Sequence, residues 1–314
     1  MSRYHYVYLI LATLVLGPVA SAEEHIAQPF VGVTLRGLFL DDPRPLTIWV
    51  AEIDLTADGI SFLVTPGNGD PNGSEAGDPN AETTRQTTLE FLKEQNAQLA
   101  INATFFGMSA RDTDNLGLVV SAGEWVSPFR EDWPSFNISS DNQASIVRGK
   151  HDTYQVTSRS QHENLYNAVT GSDQIVTNSK ATTGRREFST ALHPRTAIGY
   201  TADKKLILAT VDGRQPGVSE GMSLLELASL MLRFGSVQAL NLDGGGSTTM
   251  VIADPEPRVL NTPSSKNKAG ECGVLRKNGT NLAVFARRNP SYQRTAPVLR
   301  RANRGQAEQA VWSD

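Results

Sequence analysis

Cysteine is almost absent from this 314-residue sequence: Cys272 is the only one. A single thiol cannot close an internal disulfide and cannot build a cysteine-rich zinc site, so a chain of this size must be stabilised by its core. Histidine is scarce as well, with five in the chain and no His-x-x-x-His or comparable pair. Metal-independent chemistry is therefore expected and no metal ligand is assigned. Neither GxxxxGK[ST] nor GxGxxG occurs, which argues against the common nucleotide loops. Charge of one sign is not concentrated in the body of the chain either. With 29 Lys and Arg against 33 Asp and Glu, the formal net charge is -4, and nothing points to a nucleic-acid partner. Internal repeats and low-complexity blocks are also missing.

The apolar run Val7 to Leu16 is shorter than the ~20 residues that span a bilayer. Arg3 and His5 precede it and Ala20-Ser21-Ala22 follows it, the pattern of a secretory signal peptide cleaved near Ala22. Residues 1–22 are therefore expected to be a leader and 23–288 one main domain. Residues 289–314 read as a basic, disordered tail, with Arg294, Arg300, Arg301 and Arg304 and no acid before Glu308. A single export signal without disulfides points to the periplasm or to secretion, with no stable membrane span; oligomeric state is left open. A composition of 39% hydrophobic and 20% charged residues suits an ordinary globular core.

Strand-like patterns outnumber helical ones. LTIWVAEIDL at 46–55 and GISFLVTP at 59–66 read as a hairpin or neighbouring pair of strands. GNGDPNGSEAGDPNAE then reads as a loop; its Asn68, Asp70, Asn72, Gly73 and Ser74 imitate a calcium loop until Pro79 stands where a bidentate Glu is needed. Calcium is the minority reading there, and no cofactor is otherwise expected. A helix is expected from Thr83, with Leu89, Phe91 and Leu92 at core spacing and Asn96 near its end. LAINATFF is a short buried strand interrupted by Asn102, either a clamp for a neighbouring loop or a polar group at a pocket. From Leu116 to Val176, short β-like runs alternate with turns, which favours antiparallel sheet over repeated βαβ units.

The segment from His193 to Met250 is the most informative. AIGYT and LILATVD form a hairpin pattern around Ala202-Asp203-Lys204. Ser223 with Glu226 makes a capping box before the apolar face Leu224, Leu227, Leu230 and Met231, and Gly235 ends that helix. VQALNLD is a buried strand that delivers Asp243 to its C-terminal edge. Three polar clusters gather at such edges: Arg195 with His193, Asp212 with Arg214, and Asp243 with Gly244, Gly245, Gly246, Ser247 and Thr248. Glycines without Cβ let amides approach an anion, hydroxyls extend the concavity, and Arg195 could add a planar charged fork. The fold expected from these elements is α+β, a mixed or antiparallel sheet core with flanking helices in a single main domain.

NATFF at Asn102, HPRTAIG at His193, DGRQPGVSEGMSLLELA at Asp212 and NLDGGGSTTM at Asn241 occur in an order and spacing that resembles the phosphodiester glycosidases. The likeness covers about Leu46 to Ala286 and is densest in the centre. It departs from the family after Asn102, where Ala103 replaces the usual glycine, and loosely follows the family's closing strand at Asn281. The resemblance implies an exported hydrolase acting on a sugar-1-phosphodiester, such as an N-acetylglucosamine-1-phosphodiester or a related envelope or exopolysaccharide glycan. It implies catalytic roles for Asp243, Asp212 and Glu220, with either aspartate as base or nucleophile. It also implies substrate contacts from Asn102, Arg195, Gly244 to Gly246, Ser247 and Thr248. Two other classes remain: a noncatalytic module that binds phosphorylated glycans, and an accessory protein of exopolysaccharide export that works through its arginine tail.

Overall fold

The computed structural model describes residues 23–68, 82–107, 112–153, 164–184 and 186–293. The expected leader, the calcium-like loop from residue 69 onward and the tail beyond residue 293 lie outside the described residues.

An eight-stranded sheet dominates. Its strands lie in the order Glu23–Phe30, Val33–Leu40, Leu46–Asp54, Lys205–Val211, Arg195–Thr201, Ser236–Asn241, Asp173–Thr177 and Lys180–Ala181. A five-stranded sheet packs against it, in the order Pro257–Val259, Met250–Ala253, Leu99–Asn102, Asn281–Phe285 and Ser61–Val64. A second five-stranded sheet, built from strands between Val119 and Thr170, completes the core. Every strand pair among the described residues is antiparallel. The expected α+β architecture is thus corrected to a mostly β fold with few helices. Helix among the described residues is confined to Thr88–Gln95, Leu224–Arg233 and the short Glu187–Thr190, while the antiparallel sheet core stands as expected.

Strand periodicity explains the layers. Along Lys205–Val211, Leu206 and Leu208 enter one apolar cluster while Ile207, Ala209 and Val211 enter another. The first cluster fills the space between sheets with Leu99, Ile101, Met250, Ile252, Leu282 and Val284. The second lies under the Leu224–Arg233 helix, whose Leu224, Leu227, Leu230 and Met231 face it. Both faces of this strand are buried, so truncating Leu208 to Ala would cost about 2–5 kcal/mol.

The two helices carry their own boundary signals. Ser223 accepts from the Glu226 amide while the Glu226 carboxylate accepts from the Ser223 amide, as the sequence indicated. Gly235, at φ +78°, follows the last turn. The first helix starts later than expected: Thr83–Thr84 is a two-residue strand, and Thr87 with Glu90 makes the capping box. Asn96 closes that helix in the left-handed region, φ 54°. The expected pairing of residues 46–55 with 59–66 also fails. Leu46–Asp54 stays in the large sheet, whereas Ser61–Val64 crosses over to pair with Asn281–Phe285. Tertiary burial, not local turn chemistry, decided that partner.

Glu82, directly before the Thr83–Thr84 strand, is a buried carboxyl, 3% exposed. It accepts from the Asn115 amide at 2.7 Å and from Asn115 Nδ2 at 3.3 Å. Burial, which these bonds offset only in part, pushes it up to about 8. The folded chain therefore keeps a proton on Glu82 between its ordinary value near 4.5 and about 8, where the unfolded chain has lost it. Folding stability from this group falls as pH rises through that window, by at most about 1.4 kcal/mol per pH unit. Glu82→Gln mimics the protonated carboxyl. Thermal unfolding from pH 5 to 8 should show a flatter pH dependence for Glu82→Gln and a higher Tm than wild type at pH 8; an unchanged slope would show that Glu82 is ionised in the fold.

Candidate active site

The site forms where three chain segments meet at one end of the large sheet. Asn102, at the end of its strand, is fully buried, and its carboxamide is shared among three partners. Its Oδ1 accepts from Thr196 Oγ1 at 2.8 Å and from the Thr249 amide at 3.1 Å. Its Nδ2 donates to the Asp243 carbonyl at 2.6 Å. The Asp243 amide donates in turn to the Ala103 carbonyl at 2.9 Å. Asn102 is therefore the clamp for the Asp243 loop, the first of its two sequence readings, and its role in the site is to set Asp243's position.

Asp243 is enclosed but not sealed. Burial raises its carboxyl to about 6, against the opposing effects of a Ser247 hydrogen bond, the Arg276 charge and the Gly244 amide. Arg276 also lies with Nη1 3.5 Å from Ser247 Oγ. Thr248 Oγ1 is buried next to this pair with no hydrogen-bond partner among the described residues.

The three glycines have a different use from the one expected. Gly245 donates its amide to the Pro194 carbonyl at 3.0 Å, and the Gly244 amide bonds the Asp243 carboxylate, so the loop does not present a row of free amides to an anion. What the missing side chains do is admit neighbours. A Cβ on Gly244 would lie 2.6 Å from the Pro194 carbonyl oxygen, and one on Gly245 would lie 3.0 Å from Arg214 Nη1. A Cβ on Gly246 would overlap Arg276 Nη2 and Ser265 Oγ. Gly245 also has φ +61°, a conformation that disfavours side chains. Two guanidinium groups thus lie over the loop, and the positive charge of the site comes from side chains rather than from amides.

Arg214 reaches His193 as well, with Nη2 3.3 Å from Nδ1. A guanidinium only donates, so His193 Nδ1 accepts and its proton sits on Nε2. Burial, with the charges of Arg195 and Arg214, holds the imidazole below its usual value, which keeps it neutral at pH 7.

Arg195 is corrected from anion fork to internal anchor. It is 1% exposed; Nε donates to the Met222 carbonyl at 2.9 Å, and Nη2 donates to the Phe188 and Ala191 carbonyls at 2.8 and 2.9 Å. Burial lowers its pKa to about 10, so it stays charged at neutral pH. Asp212 has a similar fate. It is 1% exposed, and its carboxylate accepts from Asn261 Nδ2 at 2.8 Å and from the Thr262 amide at 2.9 Å. Asn261 Nδ2 and Oδ1 bond the Thr248 carbonyl and the Met250 amide, so Asp212 braces the far side of the Asp243 loop. Glu220 is placed through its backbone, its amide donating to the Pro45 carbonyl at 3.1 Å. Among the described residues, no hydrogen bond links its carboxylate to Asp243 or to the glycines. Asn281 is buried on Thr88, whose Oγ1 lies 2.8 Å from Asn281 Oδ1.

The structure therefore brings together Asp243, Ser247, Thr248 and the glycine loop, with Asn102 and Asp212 supporting them. Arg276 was missed. It lies in a segment without regular structure, just before the Lys277-Asn278-Gly279 run, and its only sequence signal was proximity to the closing strand. A broad groove lined by Gln28, Arg36, Glu52, Asp54 and Lys205 lies at the other end of the same strands and shares no residue with this constellation.

The Arg276 charge lowers the Asp243 pKa against its burial. Arg276→Met should therefore move Asp243 further above 6, while Arg276→Lys should hold it nearer the wild-type value. Carbon-13 titration of the aspartate carboxyls measures both, and an unmoved Asp243 in Arg276→Met would remove Arg276 from the site.

Comparison with known proteins adds to this geometry. The phosphodiester glycosidase family model matches residues 95–285. The bovine N-acetylglucosamine-1-phosphodiester alpha-N-acetylglucosaminidase is 40% identical over 65 residues, 21% of this chain and 12% of that protein. The mouse protein of the same name is 29% identical over 188 residues, 55% of this chain and 35% of that protein. The matches thus span about a third or less of these curated relatives. A solved zebrafish structure, the catalytic domain of the same enzyme auto-inhibited by its pro-peptide, superposes with a TM-score of 0.60 at 21% identity, over 86% of this chain and 90% of that one. That likeness extends the shared fold across nearly the whole described chain. With a family model spanning both the Asn102 clamp and the Asp243 loop, the chain belongs to the phosphodiester glycosidase family.

Proposed function

We propose that the protein hydrolyses the sugar–phosphate bond of a sugar-1-phosphodiester, releasing free sugar and a phosphomonoester. An N-acetylglucosamine-1-phosphodiester, the substrate that the names of the relatives carry, or a related envelope glycan is the expected class. The observation that carries the reading is the pairing of a half-buried carboxyl at about 6 with two guanidinium groups over one glycine loop. Family membership supports the reaction type.

The chemistry follows from charge. Arg214 and Arg276 neutralise the phosphodiester and the further negative charge that develops as it leaves. The C1–O bond breaks with its electron pair going to the phosphate oxygen, and water supplies the hydroxyl that ends on C1. A phosphomonoester oxygen has a pKa near 6, so it departs as a weak base and needs little protonation, unlike an ordinary alcohol. The carboxylate duty falls to Asp243, as nucleophile toward C1 or as base for water, because the Asp212 carboxylate is already engaged by Asn261 and Thr262. Asp243 must be ionised to act, so kcat/KM should rise with pH through about 6 in the free enzyme. Export to the periplasm or beyond is part of the proposal and is supported by the leader pattern at residues 1–22.

Sugar release from a panel of sugar-1-phosphodiesters tests the reading, with wild type compared against Asp243→Asn. Turnover should fall by about 10²- to 10⁴-fold in the variant. Because burial raises Asp243 above its unfolded value, its ionised form lowers stability above about pH 4, and Asp243→Asn should unfold at a temperature equal to or above wild type at pH 7. No sugar release by wild type from any member of the panel would contradict the proposal.

A further inference from the structure

Phe188 is an aromatic side chain left 38% exposed on a four-residue helical turn, Glu187–Thr190. Its surroundings show that it is held there. The Arg195 guanidinium carbon lies 4.6 Å from the ring centroid, and Arg195 Nη2 donates to the carbonyls of Phe188 and Ala191. A charge is costly to bury, and this one is used to fix a surface turn that has no side-chain cap of its own. Leu192, 40% exposed, continues the apolar surface.

The same turn adjoins the anion site. The Phe188 and His193 rings are 6.2 Å apart between centroids, His193 Nδ1 accepts from Arg214, and Arg214 lies against Gly245. An exposed ring fixed beside a cationic site matches a ligand that joins an anion to a ring with an apolar face. A pyranose has that face in its axial C–H groups, and a sugar phosphate has the anion next to it.

We infer that Phe188 is a specificity-determining platform on which the sugar ring of the substrate stacks while its phosphate lies between Arg214 and Arg276. Arg195 is then a positioning residue that acts through the turn. This inference rests on the sugar-phosphodiester reading and adds where the sugar lies.

Calorimetric titration with N-acetylglucosamine 1-phosphate and, separately, with inorganic phosphate separates the two. For Phe188→Ala and Phe188→Leu, the sugar phosphate should bind roughly 3- to 10-fold more weakly, the size of one aromatic contact, with phosphate affinity unchanged. Phe188→Trp should keep the sugar phosphate affinity, which also controls for misfolding. Equal weakening of both ligands would make Phe188 a structural support for His193 and Arg214, and unchanged affinity for both would remove it from the site; either overturns the platform while the anion site stands. Wild type that binds neither ligand would overturn the platform and the sugar-phosphodiester reading together.

Discussion

One carboxamide holds the site together. Asn102 bonds Thr196 in one distant segment and both Asp243 and Thr249 in another, and it does so from a fully buried position where an unmet bond would be costly. Its strand runs between Met250–Ala253 and Asn281–Phe285 in the five-stranded sheet, while Thr196 belongs to the large sheet packed against it. The clamp therefore crosses from one layer to the other. Asp243 emerges between them with its backbone fixed at both ends, by Ala103 at the amide and Asn102 at the carbonyl. A side chain positioned in this way loses little freedom when it meets a substrate, which is the structural condition for a preorganised carboxylate.

Around that fixed point, burial and charge are set against each other. Burial raises the Asp243 carboxyl, and Ser247, Arg276 and the Gly244 amide lower it, so it stays at about 6. The glycines make this balance possible by giving up volume, since side chains at Gly245 and Gly246 would meet Arg214 and Arg276. Two further charged groups, Arg195 and Asp212, are spent on structure rather than on ligand. Each is almost fully buried and bonded to backbone or amide groups that brace the loops on either side of Asp243. The fold thus places its costly buried charges around the site, and the apolar layers formed by residues such as Leu208, Leu240 and Met231 supply the stability that supports them.

What could be read from the sequence was local. The Ser223 and Glu226 capping box and the hairpin around Lys204 depend on residues a few positions apart and formed as their patterns indicated, and the strand expected to reach Asp243 formed as Ser236–Asn241, two residues short of it. Partner choice was not local. Ser61–Val64 left its neighbour in sequence for a strand beginning at Asn281, because that sheet buries its Phe62 and Val64. The same limit governs the site. An arginine beside a histidine looks the same whether its guanidinium meets a phosphate or three backbone carbonyls, and only the fold shows Arg195 bonded to the carbonyls of Met222, Phe188 and Ala191. A glycine run can present amides or make room for side chains, and only the position of Arg214 and Arg276 distinguishes the two. Arg276 itself comes from a segment without a helical or strand period, and Glu82 gave no sign that it would be buried with its carboxyl at about 8.

The central claim is that the bond broken lies between the sugar carbon and oxygen, not between phosphorus and oxygen. Hydrolysis of a sugar-1-phosphodiester in oxygen-18 water, followed by mass analysis of both products, reads that choice directly. Carboxylate chemistry at Asp243 with the phosphate leaving from Arg214 and Arg276 predicts the label in the C1 hydroxyl of the free sugar and none in the phosphomonoester. Label in the phosphate would mean attack at phosphorus and would contradict the account.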